Sequence, residues 1–229
     1  MISVITPCLN EAANLAARAG ELARQEHPWE WIVVDGGSAD DSVEVARALG
    51  AHVLQSARGR GLQLNVGARA AQGKILLFLH ADTCIPATAL AAITDCLDTP
   101  QIVGGHFSIK FSGDHWESRV TERIYRLWLA MFKIYFGDSA IFVRRKTFDE
   151  VGGFPVQLIL EDDHFVRHLQ RTGTTRQLAE HVITSDRRYR GRLGSTLITW
   201  MSIIALNQMG ISADRLAAFY RPHSEERQT

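Results

Sequence analysis

The chain has 229 residues, with 25 Lys and Arg against 25 Asp and Glu, and is 46% hydrophobic and 22% charged. That length suits one α/β domain with a C-terminal elaboration, and the composition excludes disorder, collagen and coiled coil. Zero formal charge argues against a nucleic-acid coat, although 21 of the 25 cations are Arg, whose planar fork matches phosphate oxygens.

In chain order, short apolar runs alternate with helical patterns, which predicts βα units feeding a mostly parallel, mixed sheet. Ile2 to Thr6 reads as a strand closed by Pro7, and Asn10-Glu11 opens a helix through about Glu26 with Asn10 as cap. Trp31 to Asp35 is the second strand; Ser38 and Asp41 resemble a capping box for a helix to about Leu49. His52 to Gln55 is a short strand, a helix spans 61–72, and Lys74 to His80 has the continuous apolar run of a buried central strand. A helix near 86–98 and a strand from about Ile102 to Phe111 follow. Trp116 to Phe136 is long, helical and aromatic, mostly core by its spacing. Then come a strand at Ala140 to Val143, a helix at about 161–172, a strand near 178–183 and helices near 195–209 and 212–220. No linker or repeat appears, so 1–229 reads as one domain: a half at about 1–100, a second at about 101–192 and C-terminal helices at about 193–229.

Cys8, Cys84 and Cys96 are odd in number and lack metal-like or redox spacing, which predicts reduced thiols in a cytoplasmic protein. Met1 runs straight into an apolar strand, with no basic n-region and no cleavage site, so no signal peptide is expected. The charge-free run Leu193 to Ala213 is interrupted by polar residues, too polar for a good membrane span. Core packing is its default reading, with a homodimer contact or peripheral attachment at the inner membrane face as the open alternatives.

In a parallel α/β sheet, ligands bind beyond the carboxyl ends of the strands. Four such ends carry polar groups: Asn10-Glu11, Asp35, His80-Ala81-Asp82 and Glu161-Asp162-Asp163. Asp40 and Asp41 read as helix caps. The common nucleotide and hydrolase motifs are absent: Gly59-Arg60-Gly61 meets Leu64 where a dinucleotide fingerprint needs glycine, and there is no P-loop, G-x-S-x-G, H-E-x-x-H or C-x-x-C. Arg187, Arg188, Arg190 and Arg192 form a basic window that either clamps phosphate or is a solvated loop.

Taken together, the ordered residues resemble family-2 glycosyltransferases. Ser3-Val4-Ile5-Thr6-Pro7 with Asn10-Glu11, and Val33-Val34-Asp35-Gly36-Gly37-Ser38, are similar to that family's nucleotide-binding loops. Gly59 to Ala68, including Arg60 and Gln63, is similar to its next donor-contacting segment, and Leu79-His80-Ala81-Asp82 stands where the family carries D-x-D. Gly137-Asp138, Val151-Gly152-Gly153-Phe154 and Glu161-Asp162 resemble its acceptor side and catalytic E-D. Arg187-Arg188-Tyr189 and Leu216 to Tyr220 resemble, more narrowly, the radical-SAM/selenodomain-associated bacterial subgroup.

The resemblance implies a GT-A fold and inverting sugar transfer from a nucleotide-diphosphate donor to an unidentified acceptor hydroxyl. Asp35 would accept from a base N–H, favouring uracil and a UDP-sugar. Asn10 and Glu11 would meet ribose or base edge, and Arg58 and Arg60 the base or pyrophosphate. Asp82 would ligate Mg²⁺ or Mn²⁺, offsetting charge on the departing diphosphate. His80 replaces the first D-x-D carboxylate, so it either hydrogen-bonds the ribose or is a satisfied strand-end histidine, and His181 is a candidate further ligand. Asp162 is the expected general base, with Glu161 or Asp163 in support; a carboxylate cluster favoured by the helix dipole is the bland alternative. A nucleotidyltransferase is the second enzymatic reading, but Pro7 to Glu11 lacks its G-x-x-x-R-x-x-P loop. A non-catalytic nucleotide-binding or membrane-scaffold protein is the third.

Overall fold

The computed structural model describes residues 1–113, 115–132, 135–185 and 193–217. The first four strands are β1 (Ile2–Cys8), β2 (Trp29–Asp35), β3 (His52–Gln55) and β4 (Ile75–Phe78), with helices α1 (Ala12–Leu22), α2 (Ser42–Ala48) and α3 (Arg60–Ala70) between them. Then come β5 (Thr83–Cys84), α4 (Ala89–Leu97), β6 (Ile102–Phe111), α5 (Trp116–Phe132) and a single 3₁₀ turn at Gly137–Ser139. The remainder is β7 (Ile141–Arg144), α6 (Arg145–Val151), α7 (Glu161–Thr172), β8 (Thr174–Thr184), α8 (Leu193–Gln208) and α9 (Ala213–Ala217).

All eight strands join one mixed sheet in the order β3-β2-β1-β4-β7-β6-β8-β5. Strands β3, β2, β1 and β4 are parallel, and β7 runs antiparallel to both β4 and β6. The parallel run puts the carboxyl ends of β1, β2 and β4 on one edge. Asn10, Asp35 and His80 therefore share that edge, as the apolar strands with polar ends predict.

Alternating side chains bury both faces. Ile2, Val4, Trp31 and Val33 meet Leu15 and Leu22 of α1 and Leu90 and Ile93 of α4. Ile5, Ile32, Val34 and Phe78 meet Leu64 of α3, Phe148 of α6 and Phe165 of α7 on the other side. A third cluster joins Ile159 and Leu160 to Ile203 and Ile204 of α8 and Leu216 of α9.

Pro7 does not close the first strand, which runs on to Cys8. Gly36 N–H donates to the Cys8 carbonyl on the β2 side and Leu79 N–H to that of Ile5 on the β4 side. By alternation the missing N–H of Pro7 faces β4, where pairing has already ended at Ile5, so the ladder loses nothing. Asn10 is not a cap: α1 starts at Ala12 with no side-chain cap. The Ser38/Asp41 capping box does not form either; Asp40 accepts the Ser42 N–H instead, 3.1 Å away. The strands β5 and the helix α6 and the 3₁₀ turn lie outside the sequence expectation. The helix expected at 212–220 is present over Ala213–Ala217.

Helix α3 sits on the sheet at Gly67, where a Cβ would fall 2.4 Å from Ile5 Cγ2 and 3.1 Å from Val34 Cγ2. Alanine gains about 1 kcal/mol of helix propensity there, but overpacking costs roughly 1–3 kcal/mol. Gly67→Ala is expected to lower the melting temperature in a thermal scan, and a rise would show that α3 can lift off without cost. The three cysteines are free. Among the described residues no helix is long and apolar enough to cross a membrane.

Candidate active site

The loops after β1 and β2 are laced together. Asn10 N–H donates to Ser38 Oγ at 2.9 Å, and Asn10 Oδ1 accepts from Ala39 N–H at 2.8 Å. Glu11 N–H donates to Ser42 Oγ at 2.8 Å and Ala12 N–H to Asp40 Oδ2 at 3.3 Å. Asn10 sits at φ 56°, a conformation asparagine adopts more readily than most residues. Asp35 is 2% exposed and turned into its own loop. It accepts from Gly37 N–H at 3.0 Å, from Ser38 N–H at 3.2 Å and from Ser38 Oγ at 2.5 Å. Gln63 is also buried, and its Nε2 donates to the carbonyls of Cys8 (3.0 Å) and Val34 (2.8 Å), riveting α3 to the ends of β1 and β2. Arg58 is exposed just ahead of α3.

The acidic turn lies across the crevice. Leu160, at φ 61°, swings the chain into α7, whose first turn carries Glu161, Asp162 and Asp163, all buried. The helix N-terminus offsets part of that negative charge. Arg60 Nε donates to Glu161 Oε1, tying α3 to α7 by an ion pair whose carboxylate is 1% exposed and whose guanidinium is 34% exposed. Asp163 turns aside to Arg167 Nε at 2.9 Å, leaving Glu161 as the carboxylate of this turn that acts on Asp162.

Asp162 Oδ2 accepts the Gly137 N–H at 2.8 Å and Oδ1 the Asp163 N–H at 2.9 Å. Burial, then the Glu161 charge, push its pKa upward; Arg60 pulls the other way, and the outcome is about 6. On Arg60, burial disfavours the charge, yet Glu161 and Asp162 outweigh it and hold the guanidinium above its ordinary value. Gly137 allows a close approach no side chain could share: a Cβ there would lie 2.8 Å from His80 Nε2 and 3.5 Å from Asp162 Oδ2. His80 Nδ1 stands 3.2 Å from Asp138 Oδ1.

The fold thus brings Arg60, His80, Gly137, Asp138, Glu161 and Asp162 into one cluster. Asp82 lies half-buried two residues beyond His80, next to Thr83, which pairs with Thr184. His181 is within β8 and exposed, three residues before Thr184. Arg187 and Arg188 lie outside the described residues.

Sequence reasoning missed Asn65. Its Nδ2 donates to the Phe154 carbonyl at 2.7 Å and its Oδ1 accepts the Phe154 N–H at 2.9 Å. This two-point clamp fixes the loop that leads into α7, and Phe154 and Phe165 pack beneath it with ring centroids 4.2 Å apart. The available signal was an asparagine between Leu64 and Val66, on the side of the helix that faces the core. A cleft of about 840 Å³, its open mouth included, begins at Arg60, Asp138 and Asp162 and runs between β6, α5 and α8.

A curled mixed sheet with two laced loops at its parallel edge and an acidic turn opposite them is the GT-A fold, and solved glycosyltransferases share it. A mannosyltransferase from Pyrobaculum calidifontis, in complex with GDP-Man and Mn²⁺, matches with TM-score 0.66 at 20% identity over 83% of this chain; the chain spans 59% of its length. Glucosyl-3-phosphoglycerate synthase from Mycobacterium tuberculosis, in complex with Mn²⁺, UDP and glucosyl-3-phosphoglycerate, matches with TM-score 0.66 at 21% identity, covering 93% of this chain and 81% of that one. In sequence, a PGL/p-HBAD biosynthesis glycosyltransferase of Mycobacterium tuberculosis is 28% identical over 213 residues, 86% of this chain and 80% of the relative. Residues 3–156 match glycosyl transferase family 2, and the chain belongs to that family of glycosyltransferases.

Proposed function

We propose that this glycosyltransferase inverts the anomeric centre, moving a sugar from a nucleoside-diphosphate donor, a UDP-sugar first, to an acceptor hydroxyl. The observation that carries the reading is Asp162: a buried carboxylate with a raised pKa, anchored on Gly137 N–H and opening onto a cleft. In this reading Asp162 accepts the proton of the acceptor hydroxyl as its oxygen bonds to the anomeric carbon. The bond from that carbon to the diphosphate oxygen breaks on the opposite face, releasing nucleoside diphosphate and inverting the centre. A base poised near neutrality suits that single displacement.

Asn10, Glu11, Asp35, Arg58 and His80 form the donor edge in this reading, with Pro7 and Gln63 beneath it. Asp35 shapes the loop that meets the base. The whole chain 1–229 then acts as one catalytic unit, of the radical-SAM-associated subgroup, at the cytoplasmic side. Arg187 and Arg188 are proposed phosphate contacts.

Asp82 would hold a divalent cation, Mn²⁺ or Mg²⁺, with His181 as a further candidate ligand. Among the described residues no three His, Cys, Asp or Glu side chains converge as a metal cluster. That fits a hard cation held by one or two carboxylates and completed by donor phosphates. Such a cation supplies positive charge to the leaving diphosphate. The relatives with GDP-Man, UDP and Mn²⁺ support the reading.

Calorimetric titration with UDP and GDP, each with and without Mn²⁺, followed by mass spectrometry of donor hydrolysis, tests it. Absence of both binding heat and thermal stabilisation would remove the proposal. Asp82→Ala is expected to weaken Mn²⁺-dependent nucleotide binding by at least roughly 10- to 100-fold. Unchanged affinity in that variant would move the metal elsewhere.

A further inference from the structure

We infer that the acceptor is an alcohol or phenol whose hydroxyl sits on an apolar body, rather than a free sugar or a phosphorylated metabolite. This rests on the proposed transfer and names its acceptor class. A base must touch the hydroxyl it deprotonates, so whatever wall continues from Asp162 is the wall that meets the rest of the acceptor.

That wall is sharply divided. Its charged side chains, Arg60, Asp138 and Asp162, gather at one end. Beyond them the lining is Ile109 and Phe111 of β6, Trp128 of α5, and Leu197, Trp200 and Ile204 of α8. Two hydroxyls set within it have partners of their own. Thr121 Oγ1 donates to the Glu117 carbonyl at 2.7 Å, and the Tyr125 hydroxyl accepts the Phe136 N–H at 3.4 Å.

A polyhydroxylated acceptor would leave water for a surface where few of the described residues replace its hydrogen bonds, a net loss. A phosphorylated acceptor would bring negative charge beside Asp138, Glu161 and Asp162, and the guanidinium described there, that of Arg60, is already paired with Glu161. An apolar body instead gains by leaving water, and a single hydroxyl at its end meets the only demand the acidic end makes. Met201 lines the cleft and is 57% exposed, and the neighbouring Ile198 is 68% exposed. Hydrocarbon therefore continues out of the mouth along α8, and a tail longer than the cleft would leave by that route.

The test uses the full chain and two probes, 1-octanol and p-cresol, against glucose, maltose and glycerol 3-phosphate, with glycoside formation read by mass spectrometry. The expected result is at least tenfold faster glycoside formation from one or both probes than from any polar acceptor, the better probe separating an alkyl from an aromatic body. Leu197→Glu should raise the KM for that probe tenfold or more, and Leu197→Met should stay within threefold of wild type. Met201→Glu, at the exposed mouth, repeats the test where folding is least at risk. Preference for maltose, stacked on Trp128 or Trp200, or for glycerol 3-phosphate would overturn the inference. So would donor hydrolysis with no glycoside from either probe, which would leave the transfer reading standing. Absence of both nucleotide binding and donor hydrolysis would sink the transfer reading itself, and this inference with it.

Discussion

Asp162→Asn is expected to cut sugar transfer by roughly 10²- to 10⁴-fold, the usual contribution of a general base. Nucleotide binding, read by calorimetry, should stay near wild type because the proposed donor edge lies on other loops. The wild-type rate carries a sign that can be read first. Asp162 must be ionised to accept a proton, and its pKa is pushed up to about 6 by burial and by Glu161. The rate should therefore fall tenfold for each pH unit below that midpoint and level off above it. The asparagine variant should lose this limb along with the rate. A variant that retained the limb would place the base on another residue, and equal loss of nucleotide binding would make Asp162 part of the donor site instead.

Arg60→Gln should have the second-largest effect, and on two observables. Removing one partner of a buried ion pair leaves the other charge uncompensated, which costs about 3–5 kcal/mol when both are buried. Glu161 is 1% exposed but Arg60 is 34% exposed, so solvent screening brings the expectation toward about 2–3 kcal/mol, measured by chemical denaturation. The second observable is the pH limb. Arg60 pulls the Asp162 pKa down more strongly than the Gly137 N–H does, so its loss should move the midpoint above 6. Arg60→Lys keeps the charge and should hold the midpoint near wild type. A downward move in Arg60→Gln would show that the guanidinium does not face Asp162 electrostatically.

What could be read from residues alone was whatever is encoded locally. The apolar runs of β1, β2 and β4, each followed by a polar residue, placed the polar edge of the sheet, because strand interiors and strand ends differ in composition. Glu161-Asp162-Asp163 announced itself at a helix start. Structure that depends on distant partners was not legible. Strand β5 is two residues long and exists through its pairing with Thr184 and Ile183, about a hundred residues further on. Asn65 acquires its role from Phe154, 89 positions away. Ser38 has the look of a cap, but Asp35 and Asn10 claim its hydroxyl and turn it into a tie between loops. Helix α6 was not expected either, although Gly152, at φ 82°, is the kind of residue that ends a helix. Gln63 matched a donor-contacting segment, whereas its amide protons are both directed at carbonyls of the sheet.

If the proposed donor edge holds the nucleotide, the tie between the loops after β1 and β2 sets how quickly it is captured. The backbone amides of Asn10, Glu11, Ala12 and Ala39 are already engaged by side chains of the neighbouring loop. Their ordering entropy is lost at folding, so an arriving ligand has little left to immobilise. Deuterium should enter these four amides slowly even with no nucleotide present, and association should be limited by diffusion into the crevice rather than by loop rearrangement.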